Sequence, residues 1–409
     1  MNLARAFANP RFRLLVWAIL GAAGWLGLAL LAALGLASTP PKAGFDLFLI
    51  LDAGRRVAAG QSPYELAGFG AGTQAESLFY SYPPPVAQAA SLVAGVPEAV
   101  VFWIVTVGAV AGLAVAAAAL ARRLRPAARA LDVVVPTIAL APYVFPFAVA
   151  LVFGNADAWY PLVFGLLLVG VLGRVSGDAS GPALLGGVAL ALAAIAKLQP
   201  GALLLWLAIW GLRARRTTAG SGSNARKALG AAVATLVLIV GLSLLVWGIG
   251  PWQDYVALVR SGTSADLVSP LNIGPASQLA LLTGDDSLAR TIAPFVAAIA
   301  LAVIAVVAWL RRDPIESLAL ATTASLIVTP ITWFHYPVAL IPFGIAAWAR
   351  VRARAPDDPA LAGRRGRVAL LLVGAIVVAG LSILLPVVVW LAVVPVLIAV
   401  RLTGPLEND

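Results

Sequence analysis

Apolar residues run for bilayer-spanning lengths and recur from one end of the chain to the other. Leu14–Leu36, Val100–Leu120, Leu229–Gly250 and Ile292–Leu310 are clear examples. A run of about 18 or more apolar residues predicts a transmembrane helix. The whole pattern gives apolar segments at 14–36, 98–121, 131–152, 158–173, 182–196, 200–212, 228–250, 291–310, 315–331, 336–349, 368–385 and 386–400. Several are short for a helix that rises 1.5 Å per residue. The pair 182–196 and 200–212, interrupted at Lys197–Pro200, reads either as two spans or as two half-helices that enter and return. The pair split at Pro386 is open in the same way. Removing a complete pair preserves the sidedness of everything else, so the pattern predicts an all-α polytopic membrane protein with about 10–12 transmembrane helices. No stretch of soluble-domain length remains, and residues 1–409 read as a single transmembrane domain.

Two loops on the face opposite the N-terminus are large, at 38–97 and 251–290. In the first, Phe45–Ala59 predicts a short amphipathic helix with Arg55 and Arg56 near its end. Gly60-Gln61-Ser62-Pro63-Tyr64 then supplies a turn. A second short segment follows Tyr82-Pro83-Pro84-Pro85. Such segments are expected to lie along the membrane surface rather than to cross it.

Composition agrees: 61% of 409 residues are hydrophobic and 11% are charged, against roughly 25% charged in soluble domains. The net charge of +10 raises the question of a nucleic-acid partner, but its distribution answers it. With the N-terminus cytoplasmic and a crossing at every apolar run, only Lys42, Arg55, Arg56, Lys197, Arg260 and Arg290 of the 28 basic residues fall outside. That asymmetry follows the positive-inside rule and makes the basic excess a topology signal. Both termini are then cytoplasmic. The absence of cysteine removes disulfides, thiolate metal sites and cysteine nucleophiles. A single histidine without an acidic cluster argues against a zinc site, and no metal or other cofactor is expected. Leu14–Leu36 follows a basic start like a signal peptide, but it is long enough to span and lacks a clear cleavage site, so it reads as an uncleaved first helix.

Polar residues are rare here, so their positions carry information. Asp46 stands at the first membrane exit, with Asp52, Arg55 and Arg56 after it. Asn155 and Asp157 lie at the tip of a helical hairpin, Lys197 in a broken helix, Asn272 in the second large loop, and Trp333-Phe334-His335 before a further apolar run. In the predicted topology all approach the outer face. An ionisable group within a span costs roughly 2.5–3.5 kcal/mol on insertion scales, so the charge of Lys197 calls for compensation. Each residue also has a plainer reading. Asp46 can cap the helix that follows it, and Asp52 can pair with Arg55 or Arg56 at the surface. Lys197 can snorkel to the interface, and Trp333 can sit in the aromatic belt. Asn155 and Asp157 can cap the hairpin, His335 can be a structural hydrogen-bonder, and Tyr82-Pro83-Pro84 can simply shape its loop.

Taken in order, these motifs resemble glycosyltransferase family 87. The resemblance rests on Asp46-Leu-Phe-Leu-Ile-Leu-Asp52-Ala-Gly, Gly60-Gln-Ser-Pro63-Tyr64 and Tyr80-Ser-Tyr82-Pro83-Pro84. Further on it rests on Gly154-Asn155, Lys197-Leu-Gln-Pro200, Asn272 and Pro330-Ile-Thr-Trp333-Phe-His335, and covers roughly residues 40–340. Two departures stand out. Gly154-Asn155-Ala156-Asp157 occupies the place where the family usually reads Gly-Gln-x-Asn, and His335-Tyr336 the place where it often has two adjacent histidines. The resemblance implies a GT-C-like fold with short membrane-surface helices on its outer face. It implies inverting transfer of a sugar, mannose first, from a polyprenyl-phosphate donor to a hydroxyl of a lipid or glycolipid. By family position Asp46 is the catalytic base. Lys197, His335 and one of Arg55, Arg56 or Arg260 are candidates for the donor phosphate, and Asp52, Tyr82, Asn155, Asp157, Asn272 and Trp333 for other substrate contacts. No Asp-x-Asp sequence of the metal–nucleotide-sugar type occurs, in keeping with a lipid donor. Transfer of arabinofuranose or glucose from an equivalent donor is the alternative within enzymes. A lipid-linked-sugar transporter or flippase is the alternative outside them. The absence of an evident internal repeat counts mildly against that last reading.

Overall fold

The computed structural model describes residues 9–64, 80–124, 130–172, 181–213, 221–262, 267–353 and 359–404. Parts of both large loops fall outside these ranges. The described chain is built from helices, and its one β contact is an isolated antiparallel bridge between Asn272 and Trp333. Helix α1 (Pro10–Ala37) begins on Asn9, whose side chain accepts a hydrogen bond from the Arg11 amide. The first loop supplies two short helices, α2 (Phe45–Ala58) and α3 (Pro84–Ser91), before the long α4 (Glu98–Leu124). Next come α5 (Leu131–Leu140) and α6 (Phe145–Phe153), joined through a 3₁₀ turn and bent by 70°. Pro142 and Pro146 flank that bend, and neither has an N–H to continue a helix ladder. Three short helices follow, α7 (Tyr160–Val171), α8 (Gly181–Ala196) and α9 (Leu203–Arg213), then the long α10 (Ser221–Trp247). The second large loop contributes α11 (Gly250–Gly262) and α12 (Pro275–Thr283). The chain closes with α13 (Asp286–Leu310), α14 (Pro314–Ser325), α15 (Ile341–Ala353), α16 (Pro359–Leu381) and α17 (Val389–Thr403).

Five helices among the described residues are long and apolar enough to cross a bilayer: Pro10–Ala37, Glu98–Leu124, Ser221–Trp247, Asp286–Leu310 and Pro386–Thr403. The bent pair makes a sixth if it is one span. The chain is therefore a multi-pass membrane protein. Among the described residues, and by length and composition, these five or six spans stand beside shorter apolar helices such as Ala156–Val171 and Gly181–Ala196, where ten to twelve spans are expected. The reason is local: several apolar runs that look continuous in sequence are interrupted or opened by 3₁₀ turns, at 141–143, 156–159, 199–202 and 336–340, which leaves α-helices too short to span alone. Backbone freed in this way is tolerated at membrane depth only inside protein. Accordingly α7, α8, α9, α14 and α15 supply much of the largest buried cluster, including Phe164, Leu167, Leu190, Trp206, Leu318 and Phe343.

The bundle has two chemically distinct ends. At one, Arg123 donates to the Leu172 carbonyl at 2.8 Å and Arg226 to that of Gly211 at 2.7 Å. Arg213 donates to the Arg311 carbonyl there, and Arg350 makes a buried bidentate pair with Asp313 at 2.5 and 2.7 Å. These bonds tie α4 to the end of α7, α9 to both α10 and the end of α13, and α15 to the start of α14. The helical chain breaks at Lys197–Pro200, between α8 and α9, and both of these helices pack against α10. Close packing of α8 on α10 requires Gly187, where a Cβ would come within 2.1 Å of the Ala228 carbonyl oxygen. The other end holds α2, α3 and α11.

Candidate active site

Four separate segments bring their polar side chains to this second end. Asp46 lies in the first turn of α2, whose N-cap is Gly44 in the left-handed region at φ 75°. Asp46 is thus not the cap, and its carboxylate is turned elsewhere: Asn155 Nδ2 donates to Asp46 Oδ2 at 2.6 Å. Asn155 follows Gly154, which ends α6 at φ 66°, where a Cβ would meet the Leu47 side chain at 2.8 Å. A side chain is disfavoured there on both counts. Asn155 Oδ1 in turn accepts from the Asp157 amide at 3.0 Å, capping the turn Ala156–Trp159. The capping reading of Asn155 is therefore correct, and its other amide atom reaches Asp46.

Beneath lies a buried ion cluster. Lys197 Nζ is 3.0 Å from Asp157 Oδ2, and His335 Nε2 is 3.2 Å from the same oxygen. The Asp157 side chain is 0% exposed, that of His335 4% and that of Lys197 12%. The ammonium also sits 4.5 Å from the centre of the Tyr336 ring, a cation–π distance. Asp157 supplies the compensation that the charge of Lys197 calls for. Asp46, above, is only half-buried. Burial pushes its carboxyl up from the ordinary value, aided by the nearby Asp157 charge. Lys197, His335 and the Asn155 hydrogen bond pull it back without cancelling the rise.

Other expected site residues stand apart. Arg55 is held by Asp52 at 2.9 Å and by Glu98 at 2.5 Å, as the plainer reading of Asp52 has it. Arg56 donates to the Ser62 and Tyr64 carbonyls, both at 3.1 Å, and closes the turn after α2. Arg260 is exposed on α11. Asn272 is fully buried, and its side chain makes a clasp. Oδ1 accepts from the Gly274 and Thr332 amides at 3.0 and 2.9 Å, and Nδ2 donates to the Leu267 and Pro330 carbonyls, each at 3.2 Å. Its neighbour across the bridge, Trp333, packs half-buried against the core. Asn272 therefore holds the strap that carries His335. Tyr82 is buried in an aromatic roof with Tyr64, Tyr80 and Tyr255. There the Tyr64 hydroxyl donates to the Tyr82 carbonyl at 2.8 Å, and Ser62 ties α11 down through Asp254 at 2.6 Å.

Sequence reasoning missed Tyr336, Glu98 and the Ser62–Asp254 tie. Tyr336 carried no signal beyond its place next to His335. Glu98 offered one, an acid following Pro97 at a helix start. No three histidine, aspartate or glutamate side chains converge as a metal would need among the described residues. An apolar cavity of about 330 Å³ lies between α1, α5, α15, α16 and α17 and includes none of the charged cluster.

Compared with protein families, the chain matches Glycosyltransferase family 87 over residues 80–331, more than half its length. It belongs to glycosyltransferase family 87. No curated protein and no solved structure matches it. The family stretch takes in Tyr82, Asn155, Asp157, Lys197 and Asn272, whereas Asp46 lies before it and His335 just beyond it. Family 87 membership makes the protein a glycosyltransferase, an enzyme acting on a sugar donor and an acceptor. The end of the bundle that gathers its charged side chains is the candidate site for that transfer.

Proposed function

We propose that this family 87 glycosyltransferase moves a sugar, mannose first, from a polyprenyl-phosphate donor to a hydroxyl of a lipid or glycolipid acceptor. The observation that carries the reading is the half-open Asp46 carboxylate, fixed by Asn155, near a Lys197 that stays partly open while its partner Asp157 is sealed from solvent. A phosphodiester-linked sugar brings its own leaving group, so the protein has two tasks. Asp46 takes the proton of the acceptor hydroxyl as its oxygen attacks the anomeric carbon. The bond from that carbon to the phosphate oxygen breaks, and the electron pair leaves with the phosphate, which gains one negative charge. Lys197, with His335 beside it, answers that charge where little water screens it. Attack from the side opposite the phosphate inverts the anomeric centre. Arg55 and Arg56, engaged elsewhere, have no part in this scheme.

The test is transfer by purified protein in lipid, with radiolabelled polyprenyl-phosphate mannose as donor and a membrane lipid extract as acceptor source. Asp46→Asn is expected to bind donor while losing roughly 10²–10⁴-fold in transfer, the usual contribution of a positioned base. Equal transfer by both proteins would remove Asp46 from the chemistry. If neither uses this donor, the mannose assignment fails, and arabinofuranose and glucose donors and a flipping assay come next.

A further inference from the structure

The sequence alone offers Asp157 as a substrate contact, but its surroundings give it a different task. Its side chain is 0% exposed, and a single oxygen, Oδ2, meets both Lys197 Nζ and His335 Nε2. A sugar hydroxyl cannot reach it without displacing one of them. Lys197 differs in that 12% of its side chain remains open. Its ammonium has three N–H donors. Asp157 takes one, the Tyr336 ring lies 4.5 Å away, and a donor remains for a ligand entering from above.

We propose that Asp157 is a positioning residue for the transfer: a sealed counter-ion that keeps Lys197 charged and holds its partly open ammonium in place for the donor phosphate. The proposal rests on the phosphate-binding role given to Lys197 above. The groups facing the ammonium are Asp157 on the hairpin tip, Tyr336 with His335 on the strap, and Tyr82 and Asp46 from the first loop. Of these only Asp157 makes a direct ion pair with it. Asn155 extends the arrangement, since it accepts from the Asp157 amide and donates to Asp46. One short turn thereby fixes both the base and the cation. Without Asp157, a lysine this far from water loses its direct ion pair, keeps only the longer-range pull of Asp46, and gives up its proton more readily.

The chain contains three lysines, Lys42, Lys197 and Lys227, so acylation by a small reagent, read by mass spectrometry, gives each its own pH profile. The experiment uses the full chain in lipid nanodiscs. In the wild type Lys197 is expected to resist labelling at about pH 8. In Asp157→Asn its labelling rises at least tenfold, while Lys42 and Lys227 label as before. Transfer by that variant falls as pH rises, whereas the wild type holds. An unmoved Lys197 profile in a folded Asp157→Asn protein overturns the proposal. Should that variant not fold, Asp157→Asn/Lys197→Met carries the test, because it buries no lone charge. If Asp157 acts through Lys197, the double variant retains the same residual transfer as Lys197→Met alone, and a further tenfold loss refutes it. Failure of the functional reading looks different: a wild type inert toward every polyprenyl-phosphate sugar sinks the phosphate role even where the labelling shift appears.

Discussion

At the scale of single residues, Asp46 shows what a sequence does and does not disclose. Carboxylates are so scarce near the membrane exits that its position alone marks it. Its neighbours are another matter. The hydrogen bond that orients it comes from Asn155, 109 positions away, and no local pattern encodes that meeting. The same holds for Lys197: the need for a counter-ion is legible, since an unpaired ammonium in an apolar stretch is costly, but its identity is not. Arg55 and Arg56 pose the opposite difficulty: adjacent basic residues look alike in sequence, and only the structure separates the carboxylate pairs of one from the carbonyl bonds of the other. A pH prediction belongs here. Burial raises the Asp46 carboxyl above its ordinary value, and a base works only when ionised. Transfer is therefore expected to be low in acid and to rise with pH along a limb lying above the usual carboxylate value of about 3.9. A profile of kcat/KM against pH checks this, and a limb at or below that value contradicts a buried base.

At the scale of elements, the short helices of the first loop were readable, since α2 and α3 follow from an amphipathic stretch and a proline-rich start. The spans were less so. Hydropathy reports that a segment avoids water and cannot tell lipid from protein. Runs such as 158–173 and 315–331 therefore look like spans, although the helices there are short and buried in the core. Asn272 illustrates an element-level role that composition hides. In sequence it is a polar residue in a large loop; in the fold its side chain makes four hydrogen bonds that hold the strap bearing His335. Leaving such buried partners unsatisfied costs about 1–3 kcal/mol for each group. Asn272→Ala is accordingly expected to lose roughly 3 kcal/mol and several degrees in thermal melting of the detergent-solubilised protein. Asp52→Ala, whose side chain is 71% exposed, should leave melting almost unchanged. Equal melting temperatures for the two variants would mean that the clasp contributes nothing to holding the strap.

At the scale of the whole molecule, the decisive feature is the separation of two kinds of charge. Arg123, Arg213, Arg226, Arg311 and Arg350 gather at one end of the bundle, where their side chains bind helix-terminal carbonyls, Asp313 or Glu316. Asp46, Asp157, Lys197 and His335 gather at the other. Cytoplasmic loops carry the excess of arginine and lysine, so we propose that the candidate site opens on the outer face. A donor that is itself a membrane lipid would meet it there. The lack of any native cysteine makes the orientation directly testable, since a single introduced thiol has no background. Gln61, at the site end, and Arg312, at the basic end, are both exposed. In intact cells a membrane-impermeant maleimide is expected to label Gln61→Cys at once and Arg312→Cys only after permeabilisation. The reverse pattern would put the site in the cytoplasm, where water-soluble nucleotide sugars are at hand, and would remove the main physical reason for preferring a lipid-linked donor.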